Sequence, residues 1–141
     1  MDDDELDLFV EAQDTVWNDV LAELSAGKKQ THWMWFVFPQ LAALGQSDIS
    51  QLYGLNDLAE ATDYYDHPVL GPRLDTVIGL LLQHTDRSAE DILGKVDAKK
   101  LKSCATLFAA VPSAPPAFSQ VLTVFYDGAQ CEQTLAELNG Q

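Results

Sequence analysis

Lys29, His32, Arg73 and Lys100 are the residues of this sequence best suited to chemistry. Lysine and arginine neutralise phosphate or carboxylate, and arginine grips either in a two-pronged fashion. A neutral imidazole such as that of His32 moves protons near pH 7 when a partner orients its second nitrogen. Ser103 and Thr106 follow Lys100 closely and add hydroxyl donors. Gln40 and Tyr53 offer polar handles beside an aromatic run, Trp33 offers a planar face, and His67 precedes a proline. The expected site is therefore an anion held by Lys29, Arg73 and Lys100. His32 is its candidate catalytic residue, and Trp33, Gln40, Tyr53, His67, Ser103 and Thr106 are its candidate ligand-binding residues. Each also has a plain structural use. A histidine can cap a helix, a lysine run can be a solvated face, and no nucleophile adjoins His32 in sequence. No His/Glu metal spacing, phosphate-binding loop, strand-linked GxGxxG or GxSxG occurs, so neither metal nor cofactor is expected.

Helices must position these residues. Phe9, Ala12, Val16, Val20 and Leu24 recur at three- and four-residue steps, which predicts a helix ending at Gly27. Ser47 caps a short helix to Tyr53, and Asn56 caps another to about Tyr65. Gly71-Pro72 opens a helix carrying Leu74, Val77, Ile78 and Leu81, and Ser88 caps a short turn. Asp97 is the expected N-cap of a helix over 98–110. Helices around Val121–Phe125 and Thr134–Leu138 complete a single all-α domain of six to eight helices over residues 1–141. Residues 1–5, MDDDE, read as an acidic disordered start.

The run HWMWFVFPQ (32–40) fits either a buried strand or a buried helical turn. Aromatic side chains carry the largest burial per residue, so Trp35 and Phe36 are expected in the core. Six consecutive bulky residues cannot all face inward, so one side should line a pocket or a partner surface. In a strand, Trp33 and Trp35 would share a face and could hold a planar ligand.

The chain has 141 residues, 47% of them hydrophobic and 21% charged, enough to bury a core without disulfides or metals. Its net charge of −14 disfavours duplex nucleic acid and anionic membranes, whose phosphates need a basic surface. No apolar stretch reaches the ~18 residues that span a bilayer. With no basic-then-apolar leader, cytoplasm is the expected location, and Cys104 and Cys131 should be reduced. Cys104 lies in an apolar helical pattern and reads as core. The eight cations are uneven: none precedes Lys28, and Lys95, Lys99, Lys100 and Lys102 share one segment.

Several of these strings together resemble a bacterial family of unknown function, DUF1810, sometimes labelled calpastatin-like, a label that nothing in the sequence supports. The strings are GKKQTHWMWFVFPQ, LGQS with Tyr53, HPVLGPRL, DAKKLKSCATLF and VLTVFYDG. The resemblance runs from Ala12 to Leu135. It implies a single all-helical domain and no assigned reaction. The chain departs from the family pattern at ILG (92–94), where a phenylalanine usually precedes the glycine. It departs again at SCATLF (103–108), where a second serine and a methionine are usual.

Two functions follow from the residues. One is a pocket beside HWMWFVFPQ that binds a small anionic, nucleotide- or phosphate-like ligand. The other is a protein-interaction module that docks a partner on an exposed aromatic edge, with no catalysis. The sequence fixes neither a reaction nor an oligomeric state.

Overall fold

The period of apolar residues from Leu6 to Leu24 builds the longest element, α1 (Asp3–Ala26), in a computed structural model that describes residues 1–141. Asp2 caps it by accepting the Glu5 amide at 2.9 Å. The helix therefore begins inside the stretch that composition marks as disordered. Asp3, Asp4 and Glu5 form its first turn, where carboxylates favour the positive end of the helix dipole. Gly27 ends it at φ 74°, which glycine adopts without steric penalty.

The rest of the chain is helical as expected. In order it forms α2 (Met34–Val37), a 3-10 turn (Ala42–Leu44), α3 (Asp48–Leu52), α4 (Leu58–Asp66) and α5 (Leu70–Leu81). Then come α6 (Ala89–Leu93), α7 (Lys95–Ala109), α8 (Ala117–Tyr126) and α9 (Glu132–Asn139). The helices outnumber the expected six to eight because one-turn segments such as α2 count separately. No strand forms, and the one ladder contact is an isolated parallel bridge between Leu41 and Leu55. No helix is long and apolar enough to cross a membrane.

Helix α7 is central: α4, α6, α8 and α9 pack on it, while α1 lies on α5. Its Leu101, Cys104, Ala105, Leu107 and Phe108 are fully buried. Phe9, Tyr64, Phe108 and Phe118 link α1, α4, α7 and α8 through ring contacts 5.1–5.6 Å apart. Where α5 crosses the end of α4, a Cβ on Gly71 would lie 2.0 Å from the Tyr65 carbonyl oxygen, so only glycine fits.

Three sequence expectations change. Asn56 is not the cap of α4. Asp57 is, accepting the Glu60 amide at 2.9 Å, while the Glu60 carboxylate reaches back to the Asn56 amide. Asp97 is not the cap of α7 either. That helix starts at Lys95 after Gly94, whose φ of 90° lets one residue both end α6 and start α7. Asp97 is instead the third helical residue, with its carboxylate free for side-chain partners. Last, burial within HWMWFVFPQ differs from the expectation: of its two open readings the helical turn forms, over Met34–Val37, so Trp33 and Trp35 do not share a face. Trp33, Met34, Val37 and Phe38 are the fully buried members, and Trp35 and Phe36 are only half-buried.

Candidate functional site

The aromatic turn meets α7 through one carboxylate. Asp97 accepts Lys29 Nζ at 2.9 Å on one oxygen and Lys100 Nζ at 3.5 Å on the other. Each lysine also covers a tryptophan. Lys29 Nζ lies 5.0 Å from the Trp33 ring centre, and Lys100 Nζ lies 4.8 Å from that of Trp35. Cation–π contacts of this kind add roughly 0.5–1 kcal/mol at exposed sites and more when desolvated. Two cations against one carboxylate leave the cluster with one net positive charge.

The loop that delivers Lys29 and Trp33 is tied by Glu23 on α1. One oxygen of its carboxylate accepts the amides of Gln30 and Thr31 and the Trp33 indole N–H, at 2.6, 2.9 and 3.1 Å. The other accepts the Thr31 hydroxyl at 2.7 Å. Burial raises the Glu23 pKa, but these bonds outweigh it and hold the carboxyl below its ordinary 4.5. A depressed carboxyl stabilises the fold above the unfolded-state value and loses that contribution as pH falls through the folded value. Glu23→Gln should therefore lower stability by about 1–2 kcal/mol at pH 7, the scale of charged hydrogen bonds discounted for exposure. The gap from wild type should close below pH 4.5. Urea midpoints at pH 7 and pH 3.5 measure this, and a gap that stays constant would contradict the role of the charge.

Gln40, Tyr53 and Lys100 do line one slot, together with Trp35, Phe38, Ser50 and Gly54. Its enclosed volume is about 10 Å³, space for roughly one water. Tyr53 also packs edge-on against Phe36 at 5.2 Å, so its ring belongs partly to the core. The other expected residues lie elsewhere. Arg73 pairs with Asp14 at 2.7 Å, donates to Gln13 at 3.3 Å and stacks on Trp17 at 5.0 Å, all on α1. It shares no partner with Lys29 or Lys100. His67 Nδ1 accepts the amides of Val69 and Leu70 at 3.1 and 3.3 Å and so caps α5. His32 is exposed, and no protein group holds its ring.

A second concentration of cations lies on a different face of α7. Lys95, Lys99 and Lys102 recur at steps of four and three, one helix face. They line an open pocket of about 320 Å³ with Phe125 and Tyr126 of α8, the buried Ala89 and Ala98, Glu90 of α6 and Ser88, the N-cap of α6. None of the three lysines pairs with a carboxylate. Lys102 Nζ lies 5.9 Å from the Tyr126 ring centre, and the Tyr126 hydroxyl donates to the Ala98 carbonyl, which fixes that wall.

Ser103 and Thr106 are buried one turn further along. Thr106 Oγ1 accepts the Cys131 amide at 2.9 Å, and Ser103 Oγ lies 3.3 Å from Cys131 Sγ. Cys131, Asp97 as a lysine partner, and the wall formed by Phe125 and Tyr126 are the site features that the sequence alone did not single out. Only a helix-phase count on α7 would have grouped Lys95 with Lys99 and Lys102.

Similarity to known proteins agrees with this fold. The model of the family described as protein of unknown function (DUF1810) matches residues 3–138. The chain is also similar to a solved structure, the conserved hypothetical protein Rv1873 from Mycobacterium tuberculosis. The two are 45% identical, with a TM-score of 0.94 over 96% of each chain. No curated protein matches the chain.

Proposed function

The chain belongs to the DUF1810 family, a family of proteins of unknown function, and from its own geometry we propose that it binds a small anionic ligand in the α6–α7–α8 pocket. One observation carries this reading. In a chain of net charge −14, three lysines without carboxylate partners gather on one pocket that also has an aromatic wall. Grouped cations repel one another, and Lys95, in the first turn of α7, also opposes the helix dipole. A bound anion offsets both effects. The volume of about 320 Å³ is at the small end of ligand pockets and suits a phosphate or carboxylate carried on a compact ring. Phe125 and Tyr126 would meet the ring, Lys95, Lys99 and Lys102 the anion, and Glu90 a hydroxyl or amine. The slot at Gln40, Tyr53 and Lys100 supports the same class of ligand less well, because Asp97 already holds Lys100 and the space admits about one water. His32 takes no catalytic role in this reading.

Titration with phosphate, pyrophosphate and adenosine monophosphate tests the proposal. A ligand that selects the folded state raises the melting temperature, equivalent to about 2.7 kcal/mol at a hundredfold excess over its dissociation constant. The rise should exceed that of chloride at matched ionic strength, and Lys99→Gln with Lys102→Gln should weaken binding at least tenfold. No shift beyond salt, or equal affinity in the double variant, would refute it.

A second reading has its own observation. Leu8, Ile49 and Leu52 are 41%, 47% and 57% exposed, and Leu8 and Leu52 line one groove between α1 and α3 beside Glu5 and Glu60. A mixed groove that sets Leu8, Phe9 and Leu52 beside Glu5 and Glu60 suits a basic amphipathic segment of a partner protein. A failed anion titration, together with binding of such a peptide that Leu52→Asp abolishes, would move the function to that groove.

A further inference from the structure

Cys131 stands at the start of α9, with its Sγ facing α7 and its residue half-buried. Its amide, bonded to Thr106 Oγ1 at 2.9 Å, fixes the backbone against α7. Ser103 Oγ, 3.3 Å from Sγ, is also 3.2 Å from the Lys99 carbonyl. One hydroxyl proton cannot serve both acceptors. With a thiol, Ser103 donates to the carbonyl and accepts from the S–H. With a thiolate, it turns and donates to sulfur.

The second observation is Thr134. It is completely buried, and its Oγ1 is the buried side-chain polar atom of the chain that lacks a hydrogen-bond partner. That hydroxyl stands near enough to Cys131 to lower the thiol pKa, yet it completes no hydrogen bond. A neutral thiol is a weak acceptor and leaves it poorly satisfied. A thiolate, or an oxygen bonded to the sulfur, would satisfy it. Burial raises the thiol pKa here, but the Ser103 and Thr134 hydroxyls and the amides of Thr134 and Gln133 outweigh it, and the net shift is downward. Cys104 is the contrast: buried among apolar side chains with no such donors, its thiol is pushed far up. The charged residues around Cys131 are mixed. Asp127 lies in the preceding turn and Glu132 and Glu137 on α9. Lys95, Asp97, Lys99, Lys100 and Lys102 lie on α7, and the 3-10 turn packed against α9 has none.

We propose that Cys131 is a nucleophilic modification site that reacts as a thiolate with small hydroperoxides. The sulfur attacks one peroxide oxygen, the S–O bond forms and the O–O bond breaks. Two electrons pass from sulfur to the peroxide. The departing hydroxide, or alkoxide from an alkyl hydroperoxide, takes a proton from solvent and leaves as water or alcohol, and Cys131 becomes a sulfenic acid. Ser103 and Thr134 then hold the new oxygen. Cys104, the other thiol of the chain, is buried, so an external thiol resolves the product.

Site-mapped alkylation with iodoacetamide between pH 5 and pH 10 is the first arm. Cys131 should react with a midpoint below the ~8.5 of a free thiol. Thr134→Val, which keeps the side-chain shape, and Ser103→Ala should each raise that midpoint and slow the reaction at pH 7 severalfold. Thr134→Ser, which keeps the hydroxyl, should behave as wild type. In the second arm, hydrogen peroxide followed by dimedone should label Cys131 and not Cys104. A wild-type midpoint at or above 8.5, a midpoint unmoved in both hydroxyl variants, or dimedone label on Cys104 alone would overturn the proposal.

Discussion

Trp33→Ala should lower the unfolding free energy by about 3–5 kcal/mol, and Trp35→Ala by less than half as much. Trp33 is fully buried, packs on Phe38 at 6.1 Å between ring centres and gives its indole proton to Glu23. Its removal opens a cavity, frees one of the four Glu23 bonds and takes away the ring beneath Lys29. Trp35 is half-buried on the outer side of the same turn, and its loss forfeits part of one wall and the Lys100 contact. That contact contributes roughly 0.5–1 kcal/mol. Denaturant midpoints of the two variants against wild type check the ordering. If Trp35→Ala proved the costlier change, the assignment of Trp33 to the core side would be wrong.

That ordering reverses what the aromatic run suggests before its backbone is known. In a run of six bulky residues, composition says that some side chains are buried but not which, because a strand and a helical turn divide them differently. Pro39 and the turn at Met34–Val37 decide it, and Trp33 rather than Trp35 becomes the anchor. The fold class was readable because apolar periodicity in α1, α5 and α7 extends over several turns. Helix starts were less readable. Asn56 and Asp57 are both good caps by type, and only the reach of the Glu60 amide chooses between them. Gly94 hid the start of α7, since its residue type signals a stop and its φ of 90° also permits a start. Moving that start from 98 to Lys95 changes the candidate site. The cation-rich segment that sequence treats as one feature is divided into two faces, with Lys100 turned to Asp97 and Lys95, Lys99 and Lys102 turned to the aromatic wall of α8. Arg73 shows the complementary limit. Its pairing with Asp14, across a sequence separation of 59, depends on the α1–α5 contact and leaves no trace in local sequence.

The reassigned Asp97 gives the second large effect. Asp97→Ala should cost about 3 kcal/mol, toward the low end for breaking a buried ion pair. The Lys29 side chain is only 8% exposed, so without Asp97 its ammonium stays desolvated with the Trp33 ring as its remaining favourable contact. Lys100, 21% exposed, can turn toward solvent and suffers less. The partial exposure of Asp97 itself, 18%, keeps the expected value below the full penalty for a deep charge. A lost helix cap would produce a smaller effect, about 0.5–2 kcal/mol, that does not depend on Lys29. A double-mutant cycle separates the two causes. Lys29→Met removes the stranded charge and keeps an apolar stem over Trp33, so Asp97→Ala made in that background should cost at least 1 kcal/mol less than in wild type. Because the pair is largely shielded from solvent, molar salt should leave most of the coupling in place. Strict additivity of the two substitutions would mean that Asp97 acts on the α7 backbone alone and that Lys29 is held near Trp33 by the Glu23-tied loop without its help.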